Sequence, residues 1–187
     1  MTADPRRVAV LVSGRGSNLR ALIDRASGYE IALVASNKPQ APALDVARAA
    51  GLPTWAFEGR GVEREDYDAM LTRSLEDHRI GTIALAGFMR LLSPAFVERW
   101  RGRIINIHPS LLPKYRGLNT HARALAAGEK ETGCTVHVVT EELDSGEILA
   151  QTTVAMDAGD DVAAINEKVL MAEHELYPAT LAEFVKR

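Results

Sequence analysis

The sequence contains a single cysteine, Cys134, among its 187 residues. One cysteine excludes an internal disulfide and any metal site built from several cysteines, and its expected state is the reduced thiol of a cytosolic protein.

Long apolar runs are also missing. No stretch approaches the ~18 apolar residues of a membrane helix, and the run VAVLV near the start is shorter than the roughly 7–15 residues of a secretory signal. We therefore expect a cytoplasmic protein with no membrane partner.

A basic excess is absent as well. Lys and Arg together number 22 and Asp and Glu together 25, so the formal net charge is -3. Nucleic-acid-binding domains usually carry a basic excess, so no nucleic-acid partner is expected. Apolar residues make up 47% of the chain and charged residues 25%, a mixture that excludes a disordered or fibrous protein. A chain of this length, without a linker or an internal repeat, predicts one domain.

Short apolar runs alternate with helical patterns in the first part of the chain. The runs RRVAVLVS, YEIALVAS, LPTWAF, GTIALAGF and RIINIH predict five buried strands. Helical spacing predicts helices over residues 17–27, 42–50 and 63–78, and Ser93 before Pro94 predicts the start of a short fourth helix. This alternation is typical of a parallel sheet with helices on both faces. The predicted fold class is α/β, with a Rossmann-like, mostly parallel sheet.

Helix details follow from the same patterns. Ser17 is a plausible cap for the first helix, and the expected apolar positions of the third are Tyr67, Met70, Leu71 and Leu75.

After residue 108 the pattern changes to a helix over 120–127 and two strands, TGCTVHVVT and EILAQTTVAM, joined by a turn at Gly146. A long helix over 161–176 follows, which Pro178 should kink or restart. The C-terminal part is thus expected to contain antiparallel strands and a long helix.

The loop SGRGSNL, residues 13–19, lies between the first strand and the first helix. Backbone N–H groups at such a helix start suit an anion, usually phosphate. The loop lacks the ending of a Walker loop, and Leu19 stands where a dinucleotide fingerprint has its third glycine. A tight turn that merely requires glycine is the alternative. We expect a phosphate-sized ligand without a second nucleotide half.

A polar pair, Asn106 and His108, ends the otherwise apolar fifth strand. Residues at i and i+2 of a strand project to the same side. Histidine is the commonest general acid or base, and an asparagine amide can donate to a developing oxyanion. Asp144, in the LDSG turn, can orient His108 or raise its pKa, but aspartate is also common in turns. A structural His108 at a strand end is the alternative to a catalytic one.

Ligands of doubly wound sheets bind outside the carboxyl ends of the strands. The segments 14–18, 87–90 and 106–108 follow or end the first, fourth and fifth strands, so we expect them to meet at one rim. Apolar residues after the fourth strand can wall a flat aromatic ligand or pack a short helix; these are Phe88, Met89, Leu91 and Leu92.

Four segments resemble the phosphoribosylglycinamide formyltransferases: SGRGSNL, AGFMRLLS, NIHPSLLPKYRGLNTH and LDSGEIL, in that order over nearly the whole chain. The SLLPKYRG core is shared by a wider class that includes methionyl-tRNA formyltransferases and formyltetrahydrofolate hydrolases, whereas SGRGSNL is the narrower mark. The resemblance implies one formyltransferase domain over 1–187. Its nucleotide- and phosphate-binding part would span about 1–100, and its folate-binding and catalytic part about 101–187.

The resemblance also implies a reaction and a set of site residues. The reaction is formyl transfer from 10-formyltetrahydrofolate, a co-substrate, to the amine of glycinamide ribonucleotide in purine biosynthesis, without a metal. The implied catalytic residues are Asn106, His108 and Asp144, with Asp144 keeping His108 charged. The implied ribonucleotide-binding residues are Gly14, Arg15, Gly16, Ser17, Asn18, Gly87, Pro109 and Glu173. The implied folate-binding residues are Arg64, Met89, Arg90, Leu91, Leu92, Thr140, Glu141, Glu142 and Leu143.

Two other functions fit part of this pattern. A formyltetrahydrofolate hydrolase would direct the same three residues at water. A non-catalytic nucleotide-binding module would keep the phosphate loop without the chemistry, although the presence of all three catalytic residue types argues against it. The expected partners are small-molecule substrates, and the expected assembly is a monomer or a weak homodimer.

Overall fold

A computed structural model describes residues 3–187 as a seven-stranded sheet with helices on both faces. The strands are β1 Arg7–Val12, β2 Glu30–Ser36, β3 Thr54–Ala56, β4 Thr82–Leu85, β5 Ile104–His108, β6 Glu131–Val138 and β7 Ile148–Ala155. The helices are α1 Ser17–Asp24, α2 Pro42–Ala49, α3 Arg64–Asp77, α4 Pro94–Arg99, α5 Thr120–Ala126 and α6 Val162–Phe184.

The strand order is β3-β2-β1-β4-β5-β6-β7. The first five strands in this order pair in parallel, and β6 and β7 pair antiparallel. The predicted fold class is therefore confirmed. Since β1, β4 and β5 are neighbours, the loops that follow them lie side by side at the carboxyl edge, where ligands of such sheets bind.

Two apolar cores cover the two faces of the sheet. One contains side chains of α1, α2 and α6, and the other contains side chains of α3 and α4. Alternate strand residues enter alternate cores: Val8 and Val10 of β1 pack in the first, and Ala9 and Leu11 in the second. Burial on both faces explains why these strands are apolar throughout rather than alternating.

Three local predictions were wrong. Ser17 is not a cap but the first helical residue of α1; the cap position is Gly16, in the left-handed conformation. Met70 is 36% exposed, whereas Tyr67, Leu71 and Leu75 of the same helix are buried. Helix α6 does not end before Pro178 but continues to Phe184. The predicted cap of α4 is confirmed, because the Ser93 hydroxyl accepts a hydrogen bond from the backbone N–H of Phe96.

Tyr177 explains why α6 extends past its proline. Its buried hydroxyl lies 2.9 Å from the Leu85 carbonyl and 3.3 Å from the Ile105 carbonyl, at strands β4 and β5. Tyr177, Leu181 and Phe184 belong to the core between α6 and the sheet. Packing against the sheet thus stabilises a segment that its proline alone would have interrupted.

We predict that Tyr177→Phe lowers the free energy of unfolding by about 1–2 kcal/mol, because two buried carbonyls lose a donor. Urea unfolding measures this change. Tyr115→Phe is the matched control: its hydroxyl donates to Glu129 close to the surface, so its loss should cost less than about 0.5 kcal/mol. Equal costs for the two variants would show that the buried hydroxyl does not stabilise α6 on the sheet.

Candidate active site

Four polar side chains meet at the edge of β5 and β6. The Asn106 amide nitrogen lies 3.2 Å from His137 Nε2. Asp144 lies between two imidazoles, with Oδ2 3.4 Å from His108 Nδ1 and Oδ1 3.5 Å from His137 Nε2. The three residues singled out in the sequence are thus brought together, and His137 joins them.

Strand register explains this cluster. Asn106 pairs with His137 and His108 with Thr135 across β5 and β6. Since side chains alternate along a strand, these residues share one face of the sheet, opposite the face on which Ile105 and Ile107 pack. Asp144 comes from the β6–β7 connection and has a left-handed backbone, with φ 49°, an uncommon conformation for a residue other than glycine.

The Asp144 carboxylate is held by a backbone donor as well as by the imidazoles. The Gly117 N–H donates to its Oδ2 at 2.8 Å. Burial raises the pKa of this carboxyl, but the contacts with His137, the Gly117 N–H and His108 outweigh burial and leave the pKa below its usual value. The group is therefore an anion at neutral pH.

Burial favours the neutral form of His108 in this site. Burial is the largest influence and lowers the pKa of its imidazole below the usual value, although the Tyr115 carbonyl and Asp144 act in the opposite direction. Asp144 thus acts in the expected direction, toward a charged His108, but burial outweighs its effect on the pKa in the free protein. Because a carbonyl oxygen can only accept, the Nε2 that lies 3.0 Å from the Tyr115 carbonyl carries the proton. A second proton would enter at Nδ1, facing Asp144.

Thr135 fixes the loop that follows His108. Its hydroxyl donates to the Ser110 carbonyl at 2.6 Å and accepts from the Leu112 N–H at 3.1 Å. Pro109 is thereby held next to the end of β5, and the chain returns to place Tyr115 and Gly117 against His108 and Asp144. The loop is therefore hydrogen-bonded to β6 and contributes contacts to the site.

The loop after β1 has the geometry of an anion site at the start of α1. Gly16 has φ 85°, and a Cβ there would lie 2.7 Å from the Cβ of Ala43. The Ala43 N–H donates to the Gly14 carbonyl, so α2 supports the loop from behind. Gly14, Arg15 and Ser17 are exposed, which leaves the loop accessible to a ligand.

Asn18 and Glu173 are adjacent, although 155 positions separate them in the chain. The Asn18 amide donates to the Glu173 carboxylate at 2.7 Å, and its own oxygen has no hydrogen-bond partner among the described residues. Glu173 is 6% exposed, and burial raises the pKa of its carboxyl to about 7. A buried carboxyl with so little compensation is typical of a functional site.

A cleft of about 810 Å³ opens between the loops after β2, β3 and β4. Its lining includes the predicted folate-binding residues Arg64, Met89, Arg90 and Leu91, together with Lys38 and Arg60, which the sequence analysis did not select. The Ser13 hydroxyl joins two walls, because it donates to the Asn37 side-chain oxygen at 2.5 Å and accepts from the Met89 N–H at 2.8 Å.

Two features of the predicted folate set differ from expectation. The Arg90 guanidinium donates to the carbonyls of Gly59 and Val62 at 2.6 and 2.8 Å and lies over the Tyr67 ring, so it holds the cleft wall. The segment 140–143 does not line this cleft. It is exposed near the catalytic cluster, and Leu143 approaches Gly117.

Two further predicted site residues lie near the end of β4. Leu92 is half-buried and packs on the second core, and Gly87 is exposed after β4 with φ 74°.

Within residues 3–187, no group of three His, Cys, Asp or Glu side chains has the arrangement of a metal site. Burial raises the pKa of the Cys134 thiol to about 12, so it is not an activated nucleophile. None of the helices in the described part of the chain has the length and apolar character to cross a membrane.

A family model described as formyl transferase matches residues 6–181. The chain belongs to the formyl transferase family. The phosphoribosylglycinamide formyltransferase of Escherichia coli (strain K12) is 44% identical over 182 residues, which cover 95% of this chain and 86% of that protein. The family resemblance seen in the sequence is thus confirmed.

Relatives of this family member differ in length. The trifunctional purine biosynthetic protein adenosine-3 of Drosophila melanogaster is 50% identical over 187 residues, but the chain spans only 14% of that protein. The crystal structure of the phosphoribosylglycinamide formyltransferase from Brucella melitensis matches with a TM-score of 0.92 and 45% identity, covering 97% of this chain and 96% of that one.

Sequence reasoning missed His137 and the carbonyl partners of His108 and Arg90. A signal for His137 was present, since it is a polar residue inside the apolar run TGCTVHVVT. Its pairing with Asn106 depends on the register of two antiparallel strands, which the sequence does not fix. Every residue has a backbone carbonyl, so the sequence does not indicate which carbonyl a side chain will contact.

We predict that Glu173→Gln stabilises the protein above pH 7 by about 3 kcal/mol, a figure that follows from a pKa raised from 4.5 to about 7. Above pH 7 the native state must hold a buried carboxylate, whereas below pH 4.5 folded and unfolded states are both protonated. The gain should therefore shrink as the pH falls from 7 to 4.5. Urea unfolding at several pH values measures it.

The control for this experiment is Glu167→Gln, on the exposed face of α6, which should change stability little at any pH. A Glu173→Gln protein with wild-type stability at both pH 8 and pH 4 would show that the Glu173 carboxylate carries no burial cost.

We predict that Gly16→Ala destabilises the protein by about 2 kcal/mol or more, because an alanine there is both left-handed and in collision with Ala43. Gly14→Ala is the matched control, since nothing lies within 4 Å of its Cβ position, and it should cost less than about 0.5 kcal/mol. Thermal unfolding compares the two. Equal stabilities would mean that the loop is not held against α2.

Proposed function

We propose that this protein transfers the formyl group of 10-formyltetrahydrofolate to the amine of glycinamide ribonucleotide. The observation that carries the proposal is the cluster of Asn106, His108 and Asp144 at the same sheet edge as the glycine loop of α1. The named relatives and the solved structure from Brucella melitensis, which match almost all of this chain, support it.

The site suits direct attack of the substrate amine on the formyl carbon. No nucleophilic side chain is present in the cluster, which contains one amide, two imidazoles and one carboxylate. Holding the two substrates in line can lower the barrier by about 7–11 kcal/mol. The Asn106 amide donates to the oxyanion of the tetrahedral intermediate, an interaction usually worth ~3–4 kcal/mol.

The proton released by the amine goes to the His108–Asp144 pair. His108 is neutral in the free site, and its Nδ1 has an open position toward Asp144. Accepting a proton there turns a 3.4 Å contact between Nδ1 and Oδ2 into an ion pair inside a buried site, which the nearby carboxylate stabilises. His108, now an imidazolium, then adds positive charge near the oxyanion. When the intermediate collapses, the bond between the formyl carbon and N10 of the folate breaks, and the proton passes from His108 to N10.

The ribonucleotide phosphate binds the glycine loop. Backbone N–H groups at the start of α1 provide the donors, with Gly14, Arg15, Gly16, Ser17 and Asn18 around them. Glu173, next to Asn18, accepts hydrogen bonds from the rest of the ribonucleotide, and Gly87 and Pro109 border it at the ends of β4 and β5. The raised pKa of Glu173 makes this contact stronger as the pH rises through about 7.

The folate lies along the other side of the catalytic cluster. Exposed apolar side chains, Met89 and Leu91 at the cleft and Leu143 beside Gly117, pack on its ring system together with Leu92. Arg64 faces the cleft and pairs with the acidic end of the co-substrate. Thr140, Glu141 and Glu142 form the neighbouring edge, and the backbone of Arg90 completes the wall.

The proposal also covers the domain organisation, the location and the partners of the protein. The chain forms one formyltransferase domain over 1–187, with its phosphate-binding part over about 1–100 and its folate-binding and catalytic part over about 101–187. It acts on small molecules in the cytoplasm, uses no metal, binds no nucleic acid and exists as a monomer or a weak homodimer.

We predict that deformylated folate appears rapidly only when glycinamide ribonucleotide is present, with one formylated ribonucleotide made per folate released. Water at the same site lacks the anchorage of the glycine loop and gains no proximity advantage. The assay follows folate absorbance and formylated product together. The riboside without phosphate is the control and should be a far poorer acceptor.

Rapid folate release without the acceptor, unchanged when the acceptor is added, would make the protein a formyltetrahydrofolate hydrolase. Absence of both activities from a folded protein that still binds the ribonucleotide would make it a non-catalytic nucleotide-binding module.

A further inference from the structure

We infer that His137 is a positioning residue that fixes the orientation of the Asn106 side-chain amide, an inference that rests on the proposed function. His137 is 2% exposed and is the cross-strand neighbour of Asn106 in the β5–β6 pairing. Its Nε2 lies 3.2 Å from the Asn106 amide nitrogen, and its Nδ1 lies 3.0 Å from the Val138 carbonyl oxygen.

Hydrogen-bond chemistry selects one tautomer of His137. The Val138 carbonyl oxygen carries no proton and can only accept, so His137 Nδ1 must donate to it. A neutral imidazole has one N–H, and its other nitrogen is then an acceptor. The Nε2 of neutral His137 therefore accepts, and the group of Asn106 that faces it must be the NH2 group rather than the carbonyl oxygen.

This constraint matters because an amide can rotate by half a turn and exchange its donor for its acceptor. With the NH2 group held by His137, Asn106 has a second N–H left for the substrate oxygen. In the reversed orientation the carbonyl oxygen of Asn106 would take the place of its amide nitrogen. An oxygen acceptor there would repel a developing oxyanion instead of stabilising it.

The second contact of His137 Nε2 is with Asp144. Asp144 Oδ1 lies 3.5 Å away, slightly farther than the Asn106 nitrogen. A proton on Nε2 would point at Asp144 but would also face the N–H groups of Asn106. A proton on His108 Nδ1 meets only Asp144. The two imidazoles therefore have different roles. His108 accepts the proton of the substrate amine, and His137 orients the side-chain amide of Asn106.

The backbone around His137 is arranged to keep its carbonyl partner in place. The β6–β7 register shifts between Val136 and His137, and such an irregularity redirects side chains. Gly146 passes against the Val138 carbonyl, where a Cβ would lie 1.8 Å from the oxygen. Gly146 is therefore needed for close approach rather than for a turn conformation, and its place opposite Val138 preserves the acceptor for His137 Nδ1.

The kinetic test compares two substitutions of His137. Glutamine can present its side-chain oxygen near the place of Nε2 and accept from Asn106, whereas leucine cannot. We expect His137→Leu to lower kcat about 100-fold, the lower end of the usual loss of an oxyanion donor, with KM for both substrates within a few-fold of wild type. His137→Gln should recover most of kcat. His78→Gln, at the end of α3, is the control.

A double-mutant cycle separates positioning from direct action. If His137 works through Asn106, then Asn106→Ala with His137→Leu should be no slower than Asn106→Ala alone. An additional loss of 10-fold or more in the double mutant would show that His137 touches the reaction itself. Equal rates for wild type and His137→Leu, or no recovery in His137→Gln when both variants are folded, would overturn the inference.

A measurement without substrates tests the tautomer independently. The 15N resonances of the His137 ring should show a protonated Nδ1 and an unprotonated Nε2 in the free protein at neutral pH. The reverse tautomer, or protonation of both nitrogens, would overturn the inference. This readout stands even if the protein forms no formylated ribonucleotide, a result that would refute the proposed function alone.

Discussion

The buried carboxylate of Asp144 is the interaction on which the site depends. A charge removed from water must find partners, because an uncompensated buried charge is very costly. Here the Gly117 N–H from the intervening loop donates to the carboxylate, and the rings of His108 from β5 and His137 from β6 lie 3.4 and 3.5 Å away. One carboxylate therefore joins two strands and two loops and fixes the relative positions of all the groups proposed to act on the formyl carbon.

Both imidazoles use their outer nitrogens on backbone carbonyls, Tyr115 for His108 and Val138 for His137. The inner nitrogens face Asp144. A proton that enters at His108 Nδ1 therefore faces the carboxylate directly. Burial disfavours the charged form of His108 and lowers its pKa despite the neighbouring carboxylate. The end of the site where the ribonucleotide is proposed to bind also carries structural costs, at the buried Glu173 and at the left-handed Gly16.

Much of this organisation could be predicted from the sequence, because it follows from short-range patterns. The strands are apolar runs, and parallel order brings the loops after β1, β4 and β5 to one edge. Asn106 and His108 are two residues apart on a strand, so their common side follows from alternation. The Pro94 helix start followed from Ser93. Each of these depends on neighbours in the chain and on general rules for parallel sheets.

What could not be predicted depends on distant contacts. The role of His137 requires the β5–β6 register, and the engagement of Arg90 requires the position of the Gly59 carbonyl. The length of α6 depends on the burial of Tyr177 against β4 and β5, which outweighs the effect of Pro178. The charge of His108 depends on how completely the folded chain excludes water, and no residue spacing reports that quantity.

The titration of His108 in the free protein, followed by NMR in wild type and in Asp144→Asn, tests the central claim most directly. The account predicts a wild-type pKa below 6.5, the ordinary value of histidine, so that the ring is neutral and able to accept the amine proton at pH 7. Asp144→Asn removes the charge that raises this pKa, so the midpoint should fall further. A wild-type His108 that is already charged at pH 7, or a midpoint that Asp144→Asn leaves unchanged, would contradict a site built on one carboxylate and a neutral His108.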